Sequence, residues 1–167
     1  MILLIPGCGQ VNAPADSPEI PAGNVSFQEY SKNGISTSVP VPENWYIADG
    51  FERQGTLTVK LSNNKSDDTF IIFVVTPTEM NTAALVQTGE KLLSGSLYQP
   101  GTISKLSQKI GSRNVQVLTA DAGQNQVVAR TAAFSERGKS YFLTLITREP
   151  NFEESVHTLE LMLGRIK

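Results

Sequence analysis

The chain of 167 residues has one cysteine, one histidine and one tryptophan, and each scarcity excludes something. A single thiol, Cys8, forms no internal disulfide, so no covalent staple holds the fold. A single histidine, His157, cannot build a multi-imidazole metal centre, and any metal there would need carboxylates or water to complete its shell. Nucleophilic triads need a serine or cysteine beside a base, yet no serine stands in a Gly-x-Ser-x-Gly elbow. Ser94-Gly95-Ser96 comes nearest and reads as a helix end. No glycine-rich phosphate loop appears, since Gly7-Cys8-Gly9 belongs to the N-terminal segment. No hydrophobic run approaches the roughly 20 residues needed to cross a bilayer. Charge is nearly balanced, with 14 Lys and Arg against 16 Asp and Glu. That balance, with no aromatics interleaved among the basic residues, speaks against nucleic acid as a partner. Neither an enzyme nor a bound cofactor is expected.

What is present begins at the N-terminus, where Met-Ile-Leu-Leu-Ile-Pro-Gly precedes Cys8. This segment resembles a bacterial lipobox: Ile5 is the aliphatic residue three before the cysteine and Gly7 the small residue directly before it. The resemblance implies that residues 1–7 are a truncated signal, removed on maturation, and that Cys8 is the lipidation site. A secretory signal also carries a charged n-region and a longer apolar stretch, so the true start is expected upstream of Met1. The competing reading is an unanchored stub that merely contains a cysteine. Acyl chains add about 0.8 kcal/mol per buried CH₂, and two or more anchor stably where one does not. Residues 9–24 hold three prolines and no apolar periodicity. Such a tether, extended at about 3.1 Å per residue, spans up to ~50 Å. The expected address is the cell membrane or outer membrane, facing the periplasm or the exterior.

Residues 25–167 suffice for one globular domain, expected to be monomeric. Apolar content of 40% and charged content of 18% argue against disorder. Strands dominate the first half. Val25–Tyr30 is a weak edge strand, Asn33-Gly34 a hairpin turn, and Ile35–Val39 a second strand ended by Pro40 and Pro42. Trp45 follows at the end of the core. Thr56–Leu61 alternates, residues 63–68 form a turn, and Thr69–Val75 is a continuous apolar run, hence a central strand buried on both faces.

A helix capped by Asn81 or Thr82 is predicted to reach Leu97, with Leu85, Gly89, Leu92, Leu93 and Ser96 on one stripe, and to end at Gly95 and Pro100-Gly101. Alternation resumes around Ile103, Leu106 and Ile110. Val115–Leu118, Val127–Phe134 and Ser140–Ile146, separated by turns at 121–123 and 136–139, make an antiparallel meander. A final helix begins near Asn151, with Glu154 completing a capping box and Phe152, Val156, Leu159 and Leu163 facing inward. Strands, helix, meander and helix, without βαβ alternation, give an α+β fold: an antiparallel sheet with helices packed on it as an α/β/α sandwich.

Three places carry a resemblance to a family. The stretch from Gly34 to Trp45, an alternating strand running into prolines and a tryptophan, the hairpin Val127–Ile146, and the terminal helix Asn151–Arg165 resemble PsbP-like domains. The likeness covers about residues 25–167. It implies the family's α+β sandwich and a binding role without catalysis, since the family includes the extrinsic photosystem II subunit, a nuclear-transport factor that binds a small GTPase, and bacterial envelope lipoproteins.

The remaining chemistry-bearing residues have simple readings. His157 sits four residues after Glu153 on the terminal helix, as a solvated i,i+4 pair. Asp67-Asp68 reads as a hairpin tip rather than a cation site. Residues 101–148 carry seven Lys and Arg against Asp121 and Glu136. Lys105, Lys109 and Arg113 would align on one strand face and, with Arg130, Arg137 and Lys139, could meet anionic lipid or an acidic partner. The favoured reading is that they cover exposed strand faces and keep edges from pairing. The function expected is that of a lipid-anchored extracytoplasmic accessory protein contacting a membrane-associated protein. The alternative is a small-ligand carrier with a cleft between sheet and helix, lined by Trp45, Phe51 and Tyr98.

Overall fold

The computed structural model describes residues 23–97, 101–121 and 126–166. Nine strands and two helices follow in the order β1 (Val25–Lys32), β2 (Ile35–Pro42), β3 (Trp45–Arg53), β4 (Thr56–Asn63), β5 (Ser66–Thr76), α1 (Thr82–Ser96), β6 (Ile103–Ile110), β7 (Arg113–Ala120), β8 (Val127–Glu136), β9 (Lys139–Arg148) and α2 (Phe152–Arg165). A 3-10 turn, Glu149–Asn151, leads into α2. Strands β3 to β9 form one antiparallel sheet of order β3-β4-β5-β9-β8-β7-β6, and β1 and β2 pair as a separate ribbon. The α+β sandwich expected from the sequence is the fold observed.

Side-chain parity sorts the core into two layers. Val59, Leu61, Ile71, Phe73, Leu143 and Leu145 point to the side where α2 and the ribbon lie, and they pack with Val39, Val41, Val156, Leu159, Met162 and Leu163. Val74, Ala133 and Phe142 point the other way and meet Leu85 of α1, as Leu118, Ala129 and Ile146 meet Leu93. Asn81 caps α1 by accepting from the Ala84 amide at 2.9 Å. Gly89 belongs in its buried stripe because a Cβ there would stand 3.0 Å from Leu118 Cδ1. The helix runs through Gly95 to Ser96, with Leu97 already extended; Pro100 lies outside the described residues, as does most of the turn expected at 121–123.

Several expectations are corrected. Strand β2 continues through Pro40 and Pro42. Counting from the Asn33-Gly34 turn, both oppose β1 at positions where no hydrogen bond crosses, Phe27↔Pro40 and Val25↔Pro42, so no ladder donor is lost. Asp67 and Asp68 lie within β5, not in a turn, because the turn contracts to Asn64-Lys65. Phe70 and Ile72 are only half-buried, so the apolar run of β5 is fully buried on one face alone. Strand β3 was unmarked in the sequence. The capping box at α2 is absent: Asn151 makes no side-chain cap and its carbonyl instead accepts from the Ser155 hydroxyl at 2.7 Å. The preceding 3-10 turn leaves Asn151 at φ −101 and ψ 3, away from the extended geometry that a capping side chain needs.

Candidate interaction surface

Helix α1 lies across β7, β8 and β9. Among the described residues no helix covers its side of the sheet over β3 and β4, and β5 is covered only in part. Register sets which residues occupy that open face: Tyr46↔Ser62↔Phe70, Asp49↔Lys60↔Ile72 and Phe51↔Thr58↔Val74 form three cross-strand rows. The bulge between Ile47 and Asp49 places both Tyr46 and Phe51 outward, although five positions separate them. Ile47 still packs on the core behind. Tyr46 is 47% exposed and Phe51 56%, two of the four large hydrophobic side chains exposed to this degree among the described residues.

Between them, the Lys60 ammonium lies 4.6 Å from the centroid of the Phe70 ring, a cation–π distance. At the rim, Arg148 Nε donates to Asp68 Oδ2 at 2.8 Å, with both side chains more than half exposed. The result is a sheet face with Tyr46 and Phe51 exposed on its edge strand, on either side of the charged Asp49–Lys60 row, and an ion pair at the end of β5. Exposed aromatic side chains are enriched at protein contact surfaces.

A different feature occupies the opposite side. The starts of β3 and β5 and the first turns of α2 enclose a hollow of about 310 Å³, with Trp45 in its wall among Asn44, Lys65, Thr69, Glu154 and Thr158. Trp45, expected to line a cleft between sheet and helix, borders this hollow. Its lining is largely polar, whereas an apolar one was expected. Phe51 is not part of it, and Tyr98 lies outside the described residues.

The other residues singled out in the sequence do not converge. Cys8 lies outside the described residues. His157 is exposed and approaches Glu160, not Glu153, with Nδ1 3.9 Å from Oε2. Ser94 and Ser96 sit at the end of α1, where the Ser96 hydroxyl donates to the Leu92 carbonyl. The six basic residues scatter. Lys105 pairs with Glu90 of α1 at 2.5 Å, and Lys109 shares that face of β6 by parity. Arg113 belongs to β7, beyond a turn at Gly111-Ser112, and so does not align with them. Arg130 lies 4.9 Å from the Phe152 ring of α2. Burial pulls its pKa below the ordinary guanidinium value, against the opposing pull of the carboxylates of Glu160 and Glu153. Arg137 and Lys139 belong to the β8–β9 hairpin end. Among the described residues no three His, Cys, Asp or Glu side chains gather as a metal set would require, and no helix is long and apolar enough to cross a membrane.

Compared with solved structures, the chain matches the solution structure of cyanobacterial PsbP (CyanoP) from Synechocystis sp. PCC 6803, with a TM-score of 0.54 over 87% of this chain and 94% of that one. The fold is PsbP-like. Sequence identity is 15%, so the likeness is one of architecture. No protein-family model matches the chain, and no curated protein matches it. In this chain the described residues cover the two faces of the sheet unequally, and the exposed aromatic side chains sit on the open part. Sequence reasoning missed that surface because β3 was not recognised.

Proposed function

We propose that this chain is a non-catalytic accessory protein, held at a membrane surface outside the cytoplasm by lipid on Cys8, that binds a membrane-associated protein through the open face of β3, β4 and β5. One observation carries the reading: Tyr46 and Phe51 stand exposed beside the Lys60–Phe70 pair on the part of the sheet that α1 leaves bare. Aromatic rings on a flat sheet give up water at little entropic cost, and truncating such anchors typically removes more binding energy than any rim contact. The occupant is taken to be a protein because the face carries both signs of charge, where a lipid surface would favour a basic one. Membrane association follows from the lipobox-like Cys8 and the proline-containing tether, and the PsbP-like fold supports an accessory role. The test is recovery from solubilised membranes by the wild-type chain compared with Tyr46→Ser/Phe51→Ser and with Cys8→Ala. The sheet-face variant loses the partner while remaining at the membrane; Cys8→Ala fractionates as soluble protein.

A second reading, a carrier of a small ligand, draws on a different observation. The hollow beside Trp45 lies between sheet and helix, as a carrier's cleft would, and its polar lining suits a polar ligand.

A further inference from the structure

We propose that the hollow beside Trp45 binds a small, neutral, polyhydroxylated molecule, a saccharide unit or a polyol. The proposal rests on the carrier reading and is independent of the aromatic sheet face. Its central observation is the indole. Trp45 is 8% exposed, and its N–H finds no acceptor among the described residues. Among the described residues no buried side-chain nitrogen or oxygen lacks a partner, so this nitrogen reaches solvent. Hollows flank the residue on two sides, the one at α2 and another of about 360 Å³ against the ribbon. The indole donor of a largely buried ring bordering both hollows is thus left to water and is free to serve a ligand's acceptor instead.

The back of the main hollow is already satisfied. Ser66, Thr69 and Thr147 form a hydroxyl chain at 3.3 and 2.8 Å, Asn63 Oδ1 accepts from the Lys65 amide at 2.7 Å, and Ser155 is bonded to Asn151. The front is not. The side chains of Asn44, Asn151, Thr158, Glu154 and Lys65 line it and have no side-chain hydrogen bond or ion pair among the described residues. The lining as a whole mixes donors, acceptors and charges, two carboxylates (Glu43 and Glu154) against one ammonium, Lys65. A simple anion would meet the carboxylates, and a simple cation the ammonium. Hydroxyl groups, each able to donate and accept, suit all of them. A volume of about 310 Å³, at the small end of ligand pockets, fits one or two sugar rings.

Trp45 is the only tryptophan, so its emission reports on occupancy. The chain is titrated with glucose, maltose and glycerol, and separately with glycine and inorganic phosphate, with calorimetry in parallel. The proposal expects a saturable change with a saccharide or polyol that is insensitive to added salt. It also expects Asn151→Ala and Thr158→Ala, with unchanged unfolding midpoints, to weaken binding about tenfold each, as the loss of a ligand hydrogen bond does. The Tyr46→Ser/Phe51→Ser form retains this response even if it loses its protein partner. Saturation by glycine or phosphate alone, no saturation by any probe, or a saccharide response untouched by both α2 substitutions would each overturn it.

Discussion

Arg113 and Glu136 are joined by a forked ion pair, in which the guanidinium donates from Nε and Nη2 to a single carboxylate oxygen, Oε2, at 3.0 and 2.9 Å. The same guanidinium donates from Nη1 to the Leu163 carbonyl at 2.8 Å and from Nη2 to that of Ile166, and it lies 5.2 Å from the Phe134 centroid. The carbonyls at the end of α2 have no helical partners of their own, so Arg113 both caps the helix and fastens it to the meander. Its side chain is 15% exposed and that of Glu136 31%, against half or more for both residues of the Arg148–Asp68 pair. Solvent-exposed pairs contribute little; this one is sheltered and multiply bonded. Arg113→Ala is expected to cost about 2–3 kcal/mol, read as a lowered urea midpoint. Arg113→Lys recovers only part of that, because an ammonium cannot fork. A wild-type midpoint for Arg113→Ala would refute the clamp.

The ribbon is pinned to the sheet by the packing of Tyr30 over Gly50. A Cβ on Gly50 would collide with the tyrosine ring and stand 2.9 Å from the Thr58 carbonyl. Gly50→Ala is therefore expected to destabilise by about 1–3 kcal/mol, the usual cost of overpacking. Combined with Tyr30→Ala it should cost less than the sum of the two single changes. Additivity in a double-mutant cycle would show that the ring does not lie there.

Acid should loosen the ribbon's tip. Glu52 accepts from Asn33 Nδ2 at 2.8 Å and from the Gly55 amide at 2.6 Å, and these bonds, Asn33 first, hold its carboxyl below its ordinary 4.5. A depressed pKa means that this contribution is complete above about pH 4.5 and disappears as pH falls through the lower folded value. Wild type and Glu52→Gln, compared by chemical denaturation, should differ near neutrality and converge in strong acid. A gap that widens with acidification would reverse the sign and contradict the assignment.

The buried threonines of the central strands offer a cleaner stability test. Thr131 and Thr144 share a hydrogen bond of 2.8 Å, and both are essentially inaccessible. Thr144→Val leaves the Thr131 hydroxyl unpaired and is expected to cost about 1–3 kcal/mol, whereas the double change to valine should recover part of the loss. Thermal or urea unfolding of the three variants decides it.

The fold was readable in sequence wherever local chemistry and tertiary packing agreed. Asn33-Gly34 makes the turn its dipeptide dictates, with φ of 50° and 79°, and Asn81 caps α1 as its position suggests. Strand β3 was hidden because its bulge breaks the two-residue period, so that Trp45 and Ile47 face the core while Tyr46 and Phe51 face out. With β3 unseen, the open face it completes was invisible too. The hollow was half legible. Trp45 was placed at the end of the core, but its polar neighbours on α2 meet it only through tertiary packing. Arg113 looked like one of a row of surface charges, because only the turn at Gly111-Ser112 separates it from the strand carrying Lys105 and Lys109. The end of α2 it binds lies some fifty positions away in sequence.

The central claim, that the open face of β3, β4 and β5 is a protein contact, is tested most directly by site-specific photocrosslinking. A photoreactive phenylalanine replaces Phe51 or, as a control, exposed Lys91 on α1, in the full chain within its own cells. The account predicts one discrete protein adduct from position 51, absent from position 91 and lost when Tyr46→Ser is added. Adducts of equal yield from both positions, or adducts to lipid alone from position 51, would contradict it.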